Sequence, residues 1–193
     1  SRNQFFNESG LISSQKNNFF IAFKLPKFKF RPSQCDALHL DVWFKGQNLL
    51  RDGGTYSYNS TVEDLNYFSG VASHNTVEFD QHQQMPRLSR FLFGAWLTPK
   101  ELTYSANEFG CAYQDHWGCT HHRKISLTYK EIKVVDNVYG FKQQAMLRWR
   151  LQPDHWELNN NILTNGRVEM ILEAEHPISL RLIEAEESRY YYQ

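Results

Sequence analysis

The strongest constraint in this sequence is the period of its apolar residues, which is two almost wherever a pattern exists. Leu38, Leu40, Val42 and Phe44 alternate with His39, Asp41 and Trp43. The same beat returns at Val77/Phe79, Ile125/Leu127/Tyr129, Ala145/Leu147/Trp149/Leu151, Val168/Met170/Leu172 and Ile178/Leu180/Leu182. Successive strand residues point to opposite faces, so each segment reads as a short half-buried strand, and Phe19–Phe23 adds a further apolar run. Turn-forming clusters punctuate them at Lys45-Gly46-Gln47-Asn48, Asp52-Gly53-Gly54, Gln152-Pro153-Asp154 and Thr164-Asn165-Gly166. No stretch keeps a helical apolar stripe for three turns; Val62–Tyr67 offers one turn at most. Many short strands with frequent turns predict an all-β fold, an antiparallel sandwich or barrel and not a βαβ sheet.

Composition narrows what such a fold can do. With 193 residues, 41% hydrophobic, the chain reads as one domain with a core that needs no disulfide or metal staple. Lys+Arg 21 cancels Asp+Glu 21, which removes any global pull toward nucleic acid or an anionic membrane and leaves only a local basic groove open. The longest apolar stretch, Phe19–Phe23, is far below the roughly 18 residues of a membrane-spanning helix. Cys35, Cys111 and Cys119 lack zinc-knuckle spacing; either Cys111 and Cys119 bridge or all three are buried thiols.

Three stretches are denser in chemically capable side chains than a plain sandwich needs: Arg31 to Asp41, Arg51 to Asn59, and Ser73 to Asp80. Asp52 stands beside two glycines, which allow close backbone approach and put a carboxylate at a loop mouth. His74 enters another strand. The pair could share a divalent ion or simply pin two loops by a hydrogen bond. Tyr56 and Tyr58 are expected on one face of a strand after Asp52, as phenol acid/base groups or as packing aromatics. His122 and Arg123 are candidates for binding an anionic sugar, and Arg51 could read a carboxylate. Asn75 is expected to orient a loop or touch substrate. Arg148 and Arg150 read as a solvated or ligand-facing edge, the solvated face being favoured.

The blocks Gln34-Cys35-Asp36-Ala37-Leu38-His39-Leu40-Asp41-Val42-Trp43, Leu50-Arg51-Asp52-Gly53-Gly54-Thr55-Tyr56-Ser57-Tyr58-Asn59 and Ser73-His74-Asn75-Thr76-Val77 together resemble the C-terminal β-sandwich domain of heparinase II/III-like polysaccharide lyases. The resemblance implies a two-layer β-sandwich over residues 1–193, a fragment of a longer chain with an N-terminal (α/α) toroid, and leaves open that its last strands are missing. It implies β-elimination on a uronic-acid polysaccharide, with much of the machinery carried by the toroid. It favours a periplasmic or secreted bacterial protein, a cytoplasmic one remaining open. Asp52 and His74 match the family's metal ligands, implying zinc or calcium. The family's remaining two histidines fall at Pro32 and Gln34, so Gln34 is the substitute ligand and the catalytic histidine of the sandwich is missing; His39 is the residue placed to stand in for it. The alternative is a non-catalytic carbohydrate-binding or structural module with a degenerate metal site.

Overall fold

The structure, a computed structural model, describes residues 2–57 and 59–190. Strands β1 (Arg2–Phe6), β2 (Leu11–Lys16), β3 (Phe19–Lys24), β4 (Leu40–Phe44) and β5 (Gln47–Leu50) form one antiparallel sheet in sequence order. A short helix, α1 (Val62–Phe68), a helical turn over Val71–Ser73 and β6 (Val77–Phe79) follow, then the hairpin of β7 (Arg87–Ser89) and β8 (Leu92–Phe93). The second large sheet is an antiparallel meander of β9 (Lys100–Tyr104), β10 (Glu108–Gln114), β11 (Thr120–Leu127) and β12 (Ile132–Tyr139). Strand β13 (Ala145–Leu147) pairs with β6, and β14 (Glu157–Asn159), β15 (Ile162–Thr164) and β16 (Glu169–Ile171) make a small separate sheet.

The two large sheets form an antiparallel two-layer sandwich closed by a shared core. Ile12, Ile21, Phe23, Leu40 and Val42 from the first meet Phe109, Cys111, Tyr113, Ile125 and Leu127 from the second in one buried cluster. Burying each large side chain of this kind contributes about 1.5–3 kcal/mol. Lys16 crosses between the layers, its buried ammonium donating to Asn107 Oδ1 at 2.6 Å and to the Leu127 carbonyl at 3.2 Å. The β4–β5 hairpin turns through Lys45 and Gly46, both at positive φ, the handedness that matches the twist of paired strands.

Several expectations are corrected. The one-turn helix is a full α1, started by a capping box in which Thr61 and Asp64 satisfy each other's backbone N–H groups. Strand structure in the Ala145–Leu151 segment ends at Leu147, with Leu151 making only a single bridge to Leu50. Ile178, Leu180 and Leu182 form no strand, and Ile178 and Leu182 are exposed, because no described neighbour offers them a ladder. Arg148 and Arg150 are not merely solvated: Arg148 pairs with Glu78 at 2.5 Å, and Arg150 reaches the Tyr67 hydroxyl at 3.0 Å and the Ala72 and Glu186 carbonyls. All three cysteines are free and buried. Burial pushes the Cys35 thiol up to about 12 and those of Cys111 and Cys119 to about 11.

Candidate functional site

The site forms where the loop after β5 meets the turn before β6. Gly53 N–H donates to the Ser73 carbonyl at 2.8 Å, and a Cβ on Gly53 would lie 2.8 Å from Ser73 Cβ, so only glycine lets the two segments press together this closely. Gly54, at φ +86°, sits equally tight against Ser188, whose N–H donates to the Gly53 carbonyl at 2.8 Å. This packing sets Asp52 beside His74, with Asp52 Oδ2 2.7 Å from His74 Nδ1 and Asp52 Oδ1 accepting the Gly54 N–H at 2.5 Å.

His39 completes the cluster. A ring nitrogen of each histidine and a carboxylate oxygen of Asp52 lie within 4.8 Å of one another, and the two rings meet edge to face with centroids 5.5 Å apart. Sequence parity put His39 on the face opposite Leu38 and Leu40, but all three are buried. Leu38 adopts φ +60° in the turn before β4, and the two-residue alternation begins only at Leu40.

The tautomers follow from the partners. A carboxylate only accepts, so His74 carries its proton on Nδ1 and presents a lone pair at Nε2, which is buried without a partner. His39 Nδ1 accepts the Asn75 N–H at 2.9 Å, so its proton lies on Nε2, which is buried without a hydrogen bond among the described residues and faces Asp41 Oδ2 at 3.7 Å. Burial opposes the Asp52 charge, but the hydrogen bond and charge of His74, with His39 and the Gly54 N–H, outweigh it and hold the carboxyl below its ordinary value. As bonded here, His74 presents its lone pair on the ring edge away from Asp52, so the two residues share one divalent ion only where the ion replaces the proton between Nδ1 and Asp52 Oδ2. His39, as bonded here, offers an N–H donor to a ligand and no lone pair.

The other candidate residues are distributed as follows. Asn75 is fully buried and spent internally: its amide donates to the Leu40 carbonyl at 2.9 Å and the Arg51 carbonyl at 3.3 Å and accepts the Arg150 N–H at 2.5 Å. Arg51 is buried against Glu187. Gln34 donates to Thr55 Oγ1 at 3.5 Å, with no hydrogen bond to Asp52 or His74 among the described residues. Tyr56, expected on a strand, lies outside any strand at φ +61° and stacks on Phe68 with centroids 5.7 Å apart. Tyr58 lies outside the described residues. His122 is half-buried, 3.8 Å from Glu101.

Arg123, expected at a sugar surface, is instead wholly buried. It forks onto Asp136 at 2.7 and 3.1 Å, donates to the Leu38 and Asn75 carbonyls at 2.7 and 2.6 Å, and lies over the Trp149 ring. His121 donates to the same Asp136 at 2.7 Å. Burial raises and the Arg123 charge lowers the Asp136 carboxyl; the charge wins, so it stays ionised, while burial holds the His121 pKa down. This charged network supports the loops that carry His39 and Asn75.

A groove that the sequence reading did not single out opens beside Gln34. Its lining includes Lys24, Lys27, Lys29, Phe30 and Arg31 beside Glu8 and Asp36, with Lys29 paired to Glu8 at 2.6 Å, so cations exceed acids around an exposed aromatic ring. The sequence shows the groove's residues as Lys27-Phe28-Lys29-Phe30-Arg31, a cation-aromatic alternation outside any strand.

The chain as a whole matches a known family. Residues 1–186 match the family described as Heparinase II/III-like, C-terminal, and the chain belongs to that family. A search of curated proteins found no match. Among solved structures, a heparinase III, the BT4657 gene product, superposes with TM-score 0.66 at 19% identity over 83% of this chain and 26% of its own. Heparan sulfate lyase HepC from Pedobacter heparinus gives TM-score 0.62 at 18% identity, again over 83% of this chain and 26% of its own. The chain therefore spans about a quarter of the length of the structures it matches.

Proposed function

We propose that this chain is the sandwich part of a polysaccharide lyase that cleaves uronic-acid-containing polymers by β-elimination, with its cleft at the mouth formed by Asp52, His74 and His39. In that reaction a base removes the proton alpha to the uronate carboxylate and the glycosidic oxygen departs, leaving an unsaturated sugar. The observation that carries the reading is the convergence of His39, Asp52 and His74 in a chain of this family. The Lys24–Arg31 groove supplies the local positive charge that a neutral chain needs to hold an acidic polymer. A divalent ion held by Asp52 and His74 in place of the proton between them would stabilise negative charge near the cleft. In its absence Asp52 fixes the His74 ring and its tautomer, and His39 Nε2–H is an additional donor. An N-terminal toroid in the intact protein is part of this proposal, since it would form the opposite wall.

The burial of both imidazoles favours a second reading, in which the cluster clamps loops in a non-catalytic carbohydrate-binding or structural module. Incubating the intact protein with heparin-, alginate- and capsule-type polymers separates the two. Growth of the ultraviolet absorbance of unsaturated uronates supports the lyase, and its absence on every polymer, with binding retained, supports the module.

A further inference from the structure

Among the described residues four His–Asp pairs lie within 4.0 Å, two of them closed and two open, the open ones being His39–Asp41 at 3.7 Å and His82–Asp115. Asp52–His74 and Asp136–His121 are closed at 2.7 Å, whereas His82 Nε2 stands 4.0 Å from Asp115 Oδ2, too far for a hydrogen bond. His82 Nδ1 is 3.0 Å from the Gln83 carbonyl, which only accepts, so Nδ1 carries the proton of the neutral ring and Nε2 presents a lone pair. Asp115 Oδ1 is occupied by the Trp117 and Cys119 N–H groups at 2.9 and 2.8 Å. Asp115 Oδ2, on a side chain with no exposure, accepts no hydrogen bond among the described residues. Two acceptors thus face each other across a gap that a cation would fill.

The donors come from Asp80, His82 and Cys119, the Asp80 carboxylate also accepting the Lys142, Gln143 and Gln144 N–H groups at 2.8, 2.7 and 3.0 Å. Asp80 and Gln81, both at positive φ, make the tight turn that returns β6 to the His82 bridge, and this sets Asp80 and His82 on one side of it. A carboxylate oxygen of Asp80, a ring nitrogen of His82 and the sulfur of Cys119 lie within 4.8 Å of one another. The Trp117 ring stacks on His82 with centroids 4.0 Å apart and fixes its plane. Donation of the second ring N–H to a backbone carbonyl is the usual support of a metal-bound histidine. His82 remains partly exposed, which gives an ion a way in, and Lys142 is the nearby cation that the two carboxylates outnumber.

We propose that Asp80, His82 and Cys119 bind a zinc-type divalent ion on three protein donors, with Asp115 Oδ2 outside that cluster and facing His82 Nε2 at 4.0 Å. Thiolate, imidazole and carboxylate together select zinc over calcium or magnesium. The ion staples the β6 turn to the β10–β11 hairpin, at the end of the small apolar cluster of Val77, Phe79 and Cys119. It is independent of the His39–Asp52–His74 cluster, which contains no sulfur.

Cobalt(II) titration of the metal-stripped intact protein tests this, because a thiolate–cobalt bond gives a near-ultraviolet charge-transfer band that the sulfur-free cluster cannot produce. The expected result is one equivalent of cobalt giving that band, displaced by zinc, lost in Cys119→Ser, retained in Cys111→Ser and at least tenfold weaker in affinity in His82→Ala. His82 is partly exposed, so its variant keeps the test usable should Cys119→Ser fail to fold. Cobalt binding without the band, no binding, or a band unchanged in either Cys119→Ser or His82→Ala overturns the proposal.

Discussion

His74 donates its Nδ1–H to Asp52 across 2.7 Å, and that bond decides what the rest of the ring can do. It fixes the tautomer, leaves a lone pair on the buried Nε2 and keeps Asp52 ionised at the loop mouth. Replacing Asp52 with Ala leaves a buried imidazole N–H without an acceptor. We expect a stability loss of about 1–3 kcal/mol, read as a lower urea midpoint with unchanged slope.

Arg123 and Asp136 form the buried ion pair behind this site. Arg123→Met removes one partner, strands the Asp136 charge and frees two carbonyls, and should cost about 3–5 kcal/mol. The double variant Arg123→Met/Asp136→Leu should recover part of that loss in a double-mutant cycle, whereas simple additivity would show that the pair is not coupled.

The same network sets an acid limit. His121 and Asp136 both have folded pKa values below their ordinary 6.5 and 3.8, so the unfolded chain binds protons that the folded one refuses. Their stabilisation is complete above about pH 7 and falls as pH drops below 6.5 through the His121 range, then further below 3.8. Asp115, raised by burial, works in the opposite sense in the carboxylate range. Melting temperature against pH should therefore fall below neutrality, and His121→Gln should flatten the first part of that fall.

Gly54 has no freedom to change. A Cβ there would sit 1.8 Å from the Ser188 carbonyl oxygen, and φ is +86°. Gly54→Ala should displace the 186–188 segment, loosen the Arg51–Glu187 pair and destabilise by more than the roughly 1 kcal/mol of a simple left-handed alanine. Faster proteolysis after Arg51 or Arg189 would report it.

How far the sequence spoke depends on what lined the inner faces. Val77/Phe79 and Ile125/Leu127 were read directly, because their inward positions are apolar. β2 was missed because Ser13 and Ser14 are buried in its middle, and β12 because Asp136 interrupts Ile132, Val134 and Val138 on its inner face. Alternation at Ile178/Leu180/Leu182 misled for the opposite reason: a period of two describes faces and supplies no partner strand. Asp52 and His74 were legible from their glycine and loop settings. The depth of Arg123 was not, since only a three-dimensional network with Asp136 and Trp149 can bury a guanidinium.

The most direct test is the rate at which the intact protein generates unsaturated uronate, compared with Asp52→Ala, His74→Ala and the groove variant Lys27→Ala/Lys29→Ala. The account predicts loss of kcat/KM by at least about a hundredfold in the first two and a raised KM with little change in kcat in the third. Full activity in Asp52→Ala and His74→Ala, with both variants folded, would contradict it.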